Sequence, residues 1–183
     1  MAVVRHSYSN GWWESASAFE FRLVVDFEAF KVTRRQRKQP HKVISYTVRP
    51  VFSWKRAHQP VKISGHMSIG LTAQAKKWAV AAASCLREQW PFKQPLPKYI
   101  LVNAAIVSFC HDARQIDASN LYQGPEDVMQ ACQPKCKRNC KMHAAILTND
   151  SQVEAHDDSY RAIDRERPRV EITLTPYLKG DRK

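Results

Sequence analysis

LTAQAKKWAVAAASCLREQWP, residues 71–91, is the stretch that decides the fold. Thr72 is a helix N-cap by residue type. Trp78, Ala82, Cys85, Leu86 and Gln89-Trp90 follow at helical spacing, and Pro91 ends the run. This is a long helix, and what surrounds it reads as strand. Upstream, residues 19–27 alternate, with Phe19, Phe21, Leu23, Val25 and Phe27 on one face and Glu20, Arg22, Val24 and Asp26 on the other. Residues 31–41 read as a basic loop. Residues 43–48 form a second strand, which Val51-Phe52 extend past a kink at Arg49-Pro50. Residues 61–63 make a third, short strand. Downstream, Pro91, Pro95 and Pro97 form a stiff connector to an apolar strand over 98–109. A short helix weakened by Gly124-Pro125 is expected over 121–131, and a strand or strand-turn over 144–153. Val170, Ile172 and Leu174 alternate with Glu171 and Thr173 as a closing strand. Strands, a long helix, a strand, a short helix and two more strands predict an α+β fold, in a single domain over 1–183.

Hydrophobic content of 44% and charged content of 25% are those of an ordinary globular chain, but a net charge of +12 is not. It favours a polyanionic partner. The charge is also segregated. No acid lies between Glu28 and Glu88, a span that holds 13 basic residues. Eleven of the 17 acids fall between Asp112 and Glu171. The N-terminal half therefore reads as a nucleic-acid face, carried by Arg34, Arg35, Arg37, Lys38, Lys55, Arg56, Lys76 and Lys77. Lys76 and Lys77 sit near a helix N-terminus, where the dipole disfavours cations. Either a bound phosphate relieves that mismatch or both lysines are simply solvated. Trp54, beside Lys55-Arg56, is placed to stack on a base, while Trp78 and Trp90 fit a core stripe. The N-terminus lacks an apolar signal region and no stretch is long enough to span a membrane. With an odd count of five cysteines, these features predict a reducing cytoplasm.

Two short motifs carry the chemistry. Asp117-Ala118-Ser119-Asn120-Leu121 follows the apolar run 100–109, and Asn149-Asp150-Ser151-Gln152-Val153 follows the run 144–147. Carboxylates at the ends of neighbouring strands can hold Mg²⁺ for phosphodiester chemistry. Asn120 can bond a scissile phosphate or a metal-bound water. The structural alternative is that Asp117 and Asn120 make a turn and cap the helix that follows.

These residues resemble the RusA family of Holliday junction resolvases. That family has an Asp-x-Asp-Asn-Leu motif running into a helix with a lysine and an aspartate, then an Asp-Asp-x-Gln-Val motif before the closing strand. Asp117 and Asn120-Leu121 match the first motif, Asp127 the helix aspartate, and Asp150 with Gln152-Val153 the second motif. The resemblance implies a RusA-like mixed sheet and Mg²⁺ held by Asp117 and Asp150. It also implies a homodimer that binds branched DNA and resolves four-way junctions in recombination and repair. The chain departs from the pattern at Ser119 and Asn149, which stand for aspartates, and at Gln123, which stands for the lysine. The lost carboxylates weaken Mg²⁺ binding, and the lost cation removes stabilisation of transition-state charge. The alternative is therefore a catalytically impaired nucleic-acid-binding protein on the same fold.

Cys132, Cys136, Cys140 and His143 read as an insertion, 132–143, with the ligand count of a Zn²⁺ site. On one straight helix, however, cysteines at i, i+4 and i+8 would spread over about 12 Å. Either Pro134 breaks the helix and a loop wraps the metal, or the segment is a basic insertion with reduced thiols. Asp157-Asp158 reads as a solvated loop.

Overall fold

The computed structural model describes residues 20–26, 31–36, 39–47, 57–63, 66–111, 119–132 and 140–177. In chain order the elements are β1 (Phe21–Asp26), β2 (Lys31–Gln36), β3 (Gln39–Thr47), β4 (His58–Ile63), β5 (His66–Leu71) and α1 (Ala73–Gln89). They are followed by β6 (Val102–Cys110), α2 (Ser119–Met129), a 3-10 turn (Asp150–Gln152), β7 (Val153–Ala155), β8 (Tyr160–Ile163) and β9 (Arg169–Pro176). The fold is α+β: a five-stranded mixed sheet with one long and one short helix, accompanied by the hairpins β2–β3 and β4–β5.

β6 is the axis of the sheet. On one side it pairs antiparallel with β9, which pairs antiparallel with the edge strand β1. On the other side β7 and then β8 pair with it in parallel. Val102, Ala104, Ile106, Ser108 and Cys110 of β6 are buried, and the residues between them are half-buried. Phe21, Leu23 and Val25 of β1 and Val170, Ile172 and Leu174 of β9 share a core with the helices.

α1 forms where the spacing predicts it. The Thr72 hydroxyl accepts from Ala75 N at 3.2 Å, and Trp90 N donates to Leu86 O at 2.9 Å before Pro91 ends the helix. Its buried face is Ala75, Trp78, Ala79, Ala82, Ala83 and Leu86, small enough on four of six positions to let the helix lie close on the sheet. The end of α1 also finishes the exposed edge of β1. Gln89 Oε1 accepts from Val24 N at 2.8 Å and its Nε2 donates to Val24 O at 2.7 Å. A side-chain amide thus stands in for a missing strand. Trp90 packs edge-on against Phe21 and Phe92, with centroids 4.9 and 5.2 Å away.

The opposite edge of β6 is finished in a similar way. β7 covers Val102 and Asn103, and β8 covers residues 107–110. In the gap, Ser159 Oγ accepts from Ile106 N at 2.8 Å and donates to Ala104 O at 3.2 Å. Asn103 Oδ1 accepts from Asp157 N at 2.8 Å. Asp157 and Asp158 are exposed in the turn, as expected, and Asp158 has φ 64°, a left-handed value that Asp tolerates.

Several expectations need correction. Residues 31–36, read as a basic loop, are strand β2, and β3 begins at Gln39 rather than at residue 43. β5 and β8 were not expected. β2 and β8 have a weak apolar alternation and are strands by their pairing with β3 and β6, whereas β5 alternates at Met67, Ile69 and Leu71. In β5, Met67 and Ile69 are 69% and 76% exposed. The strand expected from residue 98 starts at Val102, because residues 97–100 turn, with Ile100 N bonded to Pro97 O at 2.9 Å. Trp54 and residues 48–52 lie outside the described residues. Trp78 and Trp90 are core residues, as their spacing predicted. Among the described residues no helix is long and apolar enough to cross a membrane.

Candidate functional site

The second motif is built as a folded knot before it is anything else. Asn149 is the N-cap of the 3-10 turn: its side chain accepts from Ser151 N at 2.8 Å. Gln152 is 1% exposed and uses its whole amide. Its Oε1 accepts from Thr148 N at 2.7 Å and Asn149 N at 3.2 Å. Its Nε2 donates to Pro97 O and Ile100 O, both at 2.9 Å. Asn149 and Gln152 therefore have structural duties: they tie the turn to the connector that leads into β6. Asp150, the first residue of the turn, is exposed and is the one acidic side chain the motif offers to a ligand.

Asp117 lies outside the described residues. Ser119 opens α2, and Asn120 sits on its first turn, half-buried. Leu121, Val128 and Met129 bury the inner face of α2, which continues through Gly124-Pro125 despite the proline. Gln123 is exposed. Both motifs border α2: the first leads into its N-terminal end, and the second follows a run bonded to its C-terminal end. Asp150 follows three residues after Leu147, whose amide bonds Met129 O at 3.0 Å at the C-terminal end. Asn120 is on the first turn. Among the described residues no hydrogen bond joins Asn120 to Asp150.

Between those ends lies a group that motif reading missed. Tyr122 and Glu126, one turn apart on α2, meet His156 just after β7. The Glu126 carboxylate pairs with His156 Nε2. The imidazole stacks on the Tyr122 ring, with centroids 5.0 Å apart and planes at 16°. Tyr122 Oη donates to Ser159 O at 3.4 Å. The i, i+4 spacing of Tyr122 and Glu126 is visible in the sequence, but their partner is 30 residues away and carries no pattern of its own.

The cysteine segment is brought together by its flanks. α2 stops at Met129, so Cys132 lies beyond the helix that made the spacing look unfavourable. Ala131 N bonds Leu147 O at 2.6 Å, Ala145 N bonds Gln130 O at 3.1 Å, and Ala144 N bonds Val128 O at 2.6 Å. These bonds bring the two ends of the segment side by side. The ligand atoms of Cys132, Cys140 and His143 lie within 4.8 Å of one another, and Cys140 Sγ is 3.2 Å from His143 Nδ1. Burial lowers the His143 pKa, and nearby Asp127 opposes that shift. Asp127 also accepts from Gln130 Nε2 at 3.3 Å. Cys136 lies outside the described residues.

Of the proposed nucleic-acid contacts, Lys76 and Lys77 are exposed at the start of α1, whose first turn has no acidic residue. Arg34 and Arg35 fall on β2, opposite Ile44 and Val43. Arg37, Lys38, Lys55 and Arg56 lie outside the described residues. No family model matches the chain, and no curated protein matches it.

Proposed function

We propose that this protein binds branched DNA as a homodimer and cuts it with Mg²⁺, as a RusA-like junction endonuclease. The observation that carries this reading is the setting of Asp150: an exposed carboxylate on a rigid 3-10 turn, beside the helix that Asp117 leads into. Two carboxylates and the Asn120 amide are hard oxygen donors. They suit Mg²⁺, which keeps waters and accepts phosphate oxygens in its shell. Asp117 and Asp150 hold the ion, and Asn120 holds a phosphate oxygen. When bound, the ion activates a water and offsets charge on the phosphate. Lys76 and Lys77, with the arginines of β2, hold the DNA backbone.

A second reading, binding without cutting, is favoured by Asn149. A neutral side chain stands there and is engaged in capping the turn, and Ser119 and Gln123 leave the site short of a carboxylate and a cation. The deciding experiment is cleavage of a labelled four-way junction with Mg²⁺ by the parent, Asp117→Asn and Asp150→Asn. Paired, symmetric cuts that both substitutions abolish support the nuclease. Cuts that survive both sink the site, and tight binding without cuts supports the second reading. Equal affinity for linear duplex removes both.

A further inference from the structure

We infer that Cys132, Cys140 and His143 form a structural Zn²⁺ site that fastens the 132–143 segment to the ends of α1 and α2. This does not depend on the nuclease reading. Zn²⁺ with tetrahedral geometry takes thiolate sulfurs at about 2.3 Å and imidazole nitrogen at about 2.0–2.1 Å. Those bond lengths set neighbouring ligand atoms about 3.8 Å apart for two sulfurs and about 3.6 Å for sulfur and nitrogen. Here the three ligand atoms already lie within 4.8 Å of one another, and the Cys140–His143 pair is 3.2 Å apart. Small side-chain rotations close the remaining difference.

The surroundings fix the ligands on both sides. Arg87, in the last turn of α1, donates to Lys141 O at 2.9 Å and His143 O at 3.3 Å. Ala144, next to His143, is buried and bonded to Val128 O of α2. Cys132 follows directly on Ala131, which is bonded to Leu147 O at 2.6 Å. Two thiolates neutralise the ion, so the site adds no net charge to a strongly basic segment that includes Lys135, Lys137, Arg138 and Lys141. The sulfur-rich donor set selects Zn²⁺ over Mg²⁺, which takes oxygen ligands. Cys85 and Cys110, the other described cysteines, are engaged with backbone carbonyls: Cys85 donates to Val24 O at 3.3 Å, and Cys110, the last residue of β6, donates to Ser108 O at 3.7 Å.

The test is metal content of the full chain purified without chelator, read by elemental mass spectrometry. The parent is expected to carry one zinc per chain. Cys132→Ser, Cys140→Ser and His143→Ala are each expected to lose it, while Cys85→Ser keeps it. Should the ligand variants fail to fold, Co²⁺ substitution of the parent gives the second readout. A thiolate-to-cobalt charge-transfer band with tetrahedral d–d bands supports the site, and its absence overturns it. Zinc that survives all three ligand substitutions also overturns the proposal. So does a parent without zinc in which peptide mapping finds Cys132 and Cys140 joined by a disulfide.

Discussion

Replacing Gln152 by alanine removes an amide that makes four hydrogen bonds at the base of β6. At about 1 kcal/mol net for each neutral bond, the upper figure is about 4 kcal/mol. The two donors, Thr148 N and Asn149 N, lie beside an exposed and a half-exposed side chain, so water replaces part of what they lose. The two acceptors do not recover in the same way: Ile100 is buried and Pro97 half-buried. Stranding the buried Ile100 carbonyl dominates, because Pro97 O keeps its bond from Ile100 N, and the expected cost is about 3 kcal/mol. For a chain of this size that lowers the melting temperature by about 6–12 °C. The assay is urea unfolding followed by tryptophan fluorescence, with Asn149→Ala as the comparison. Asn149 caps an exposed turn and should cost about 1 kcal/mol. Gln152→Glu sharpens the test, because it keeps the size but sets an oxygen against two carbonyl oxygens. Burial raises the pKa of that carboxyl. The variant should therefore be least stable above its raised folded value and recover as pH falls through it and a donor proton returns. A Gln152→Ala protein within about 0.5 kcal/mol of the parent would refute the claim that this glutamine anchors the turn.

Leu86→Ala opens a cavity at a fully buried position of α1 and should cost about 3 kcal/mol in the same melts. The Arg167 backbone N–H and the Arg169 guanidinium hold the Asp164 carboxyl below its ordinary value. That stabilisation is present above the ordinary carboxylate pKa and is lost as pH falls through the depressed folded value. The stability gap between the parent and Asp164→Asn should therefore narrow on acidification below about pH 5 in pH-stepped unfolding. Lys76→Ala and Lys77→Ala should each weaken DNA binding with little regard to sequence. Each should lower the slope of log affinity against log salt by about 1 in titrations at several salt concentrations. Unchanged slopes would remove α1 from the interface.

What the sequence determined by itself was set by local physics. Residues 72–91 carry a cap, a helical spacing and a terminating proline, so α1 could be read within one residue of its observed ends. β1 and β9 show their alternation openly because one face of each is core. The motif residues were equally visible as motifs. Their roles were not, because the partners are distant in sequence. Gln152 reads as part of a catalytic signature, yet its amide is bonded to carbonyls more than 50 residues earlier. Glu126 drew no notice until His156 was folded against it. β2 and β8 escaped because pairing, rather than apolar alternation, makes them strands, whereas β5 does alternate at Met67, Ile69 and Leu71. The cysteine spacing spoke against one metal ion so long as the segment was imagined as a helix. Tertiary structure decided otherwise: α2 ends at Met129, and the bonds from Ala131, Ala144 and Ala145 fold the segment back until Cys132, Cys140 and His143 meet. Ligand spacing along a chain constrains a metal site only through the backbone path between the ligands, and long-range hydrogen bonds set that path.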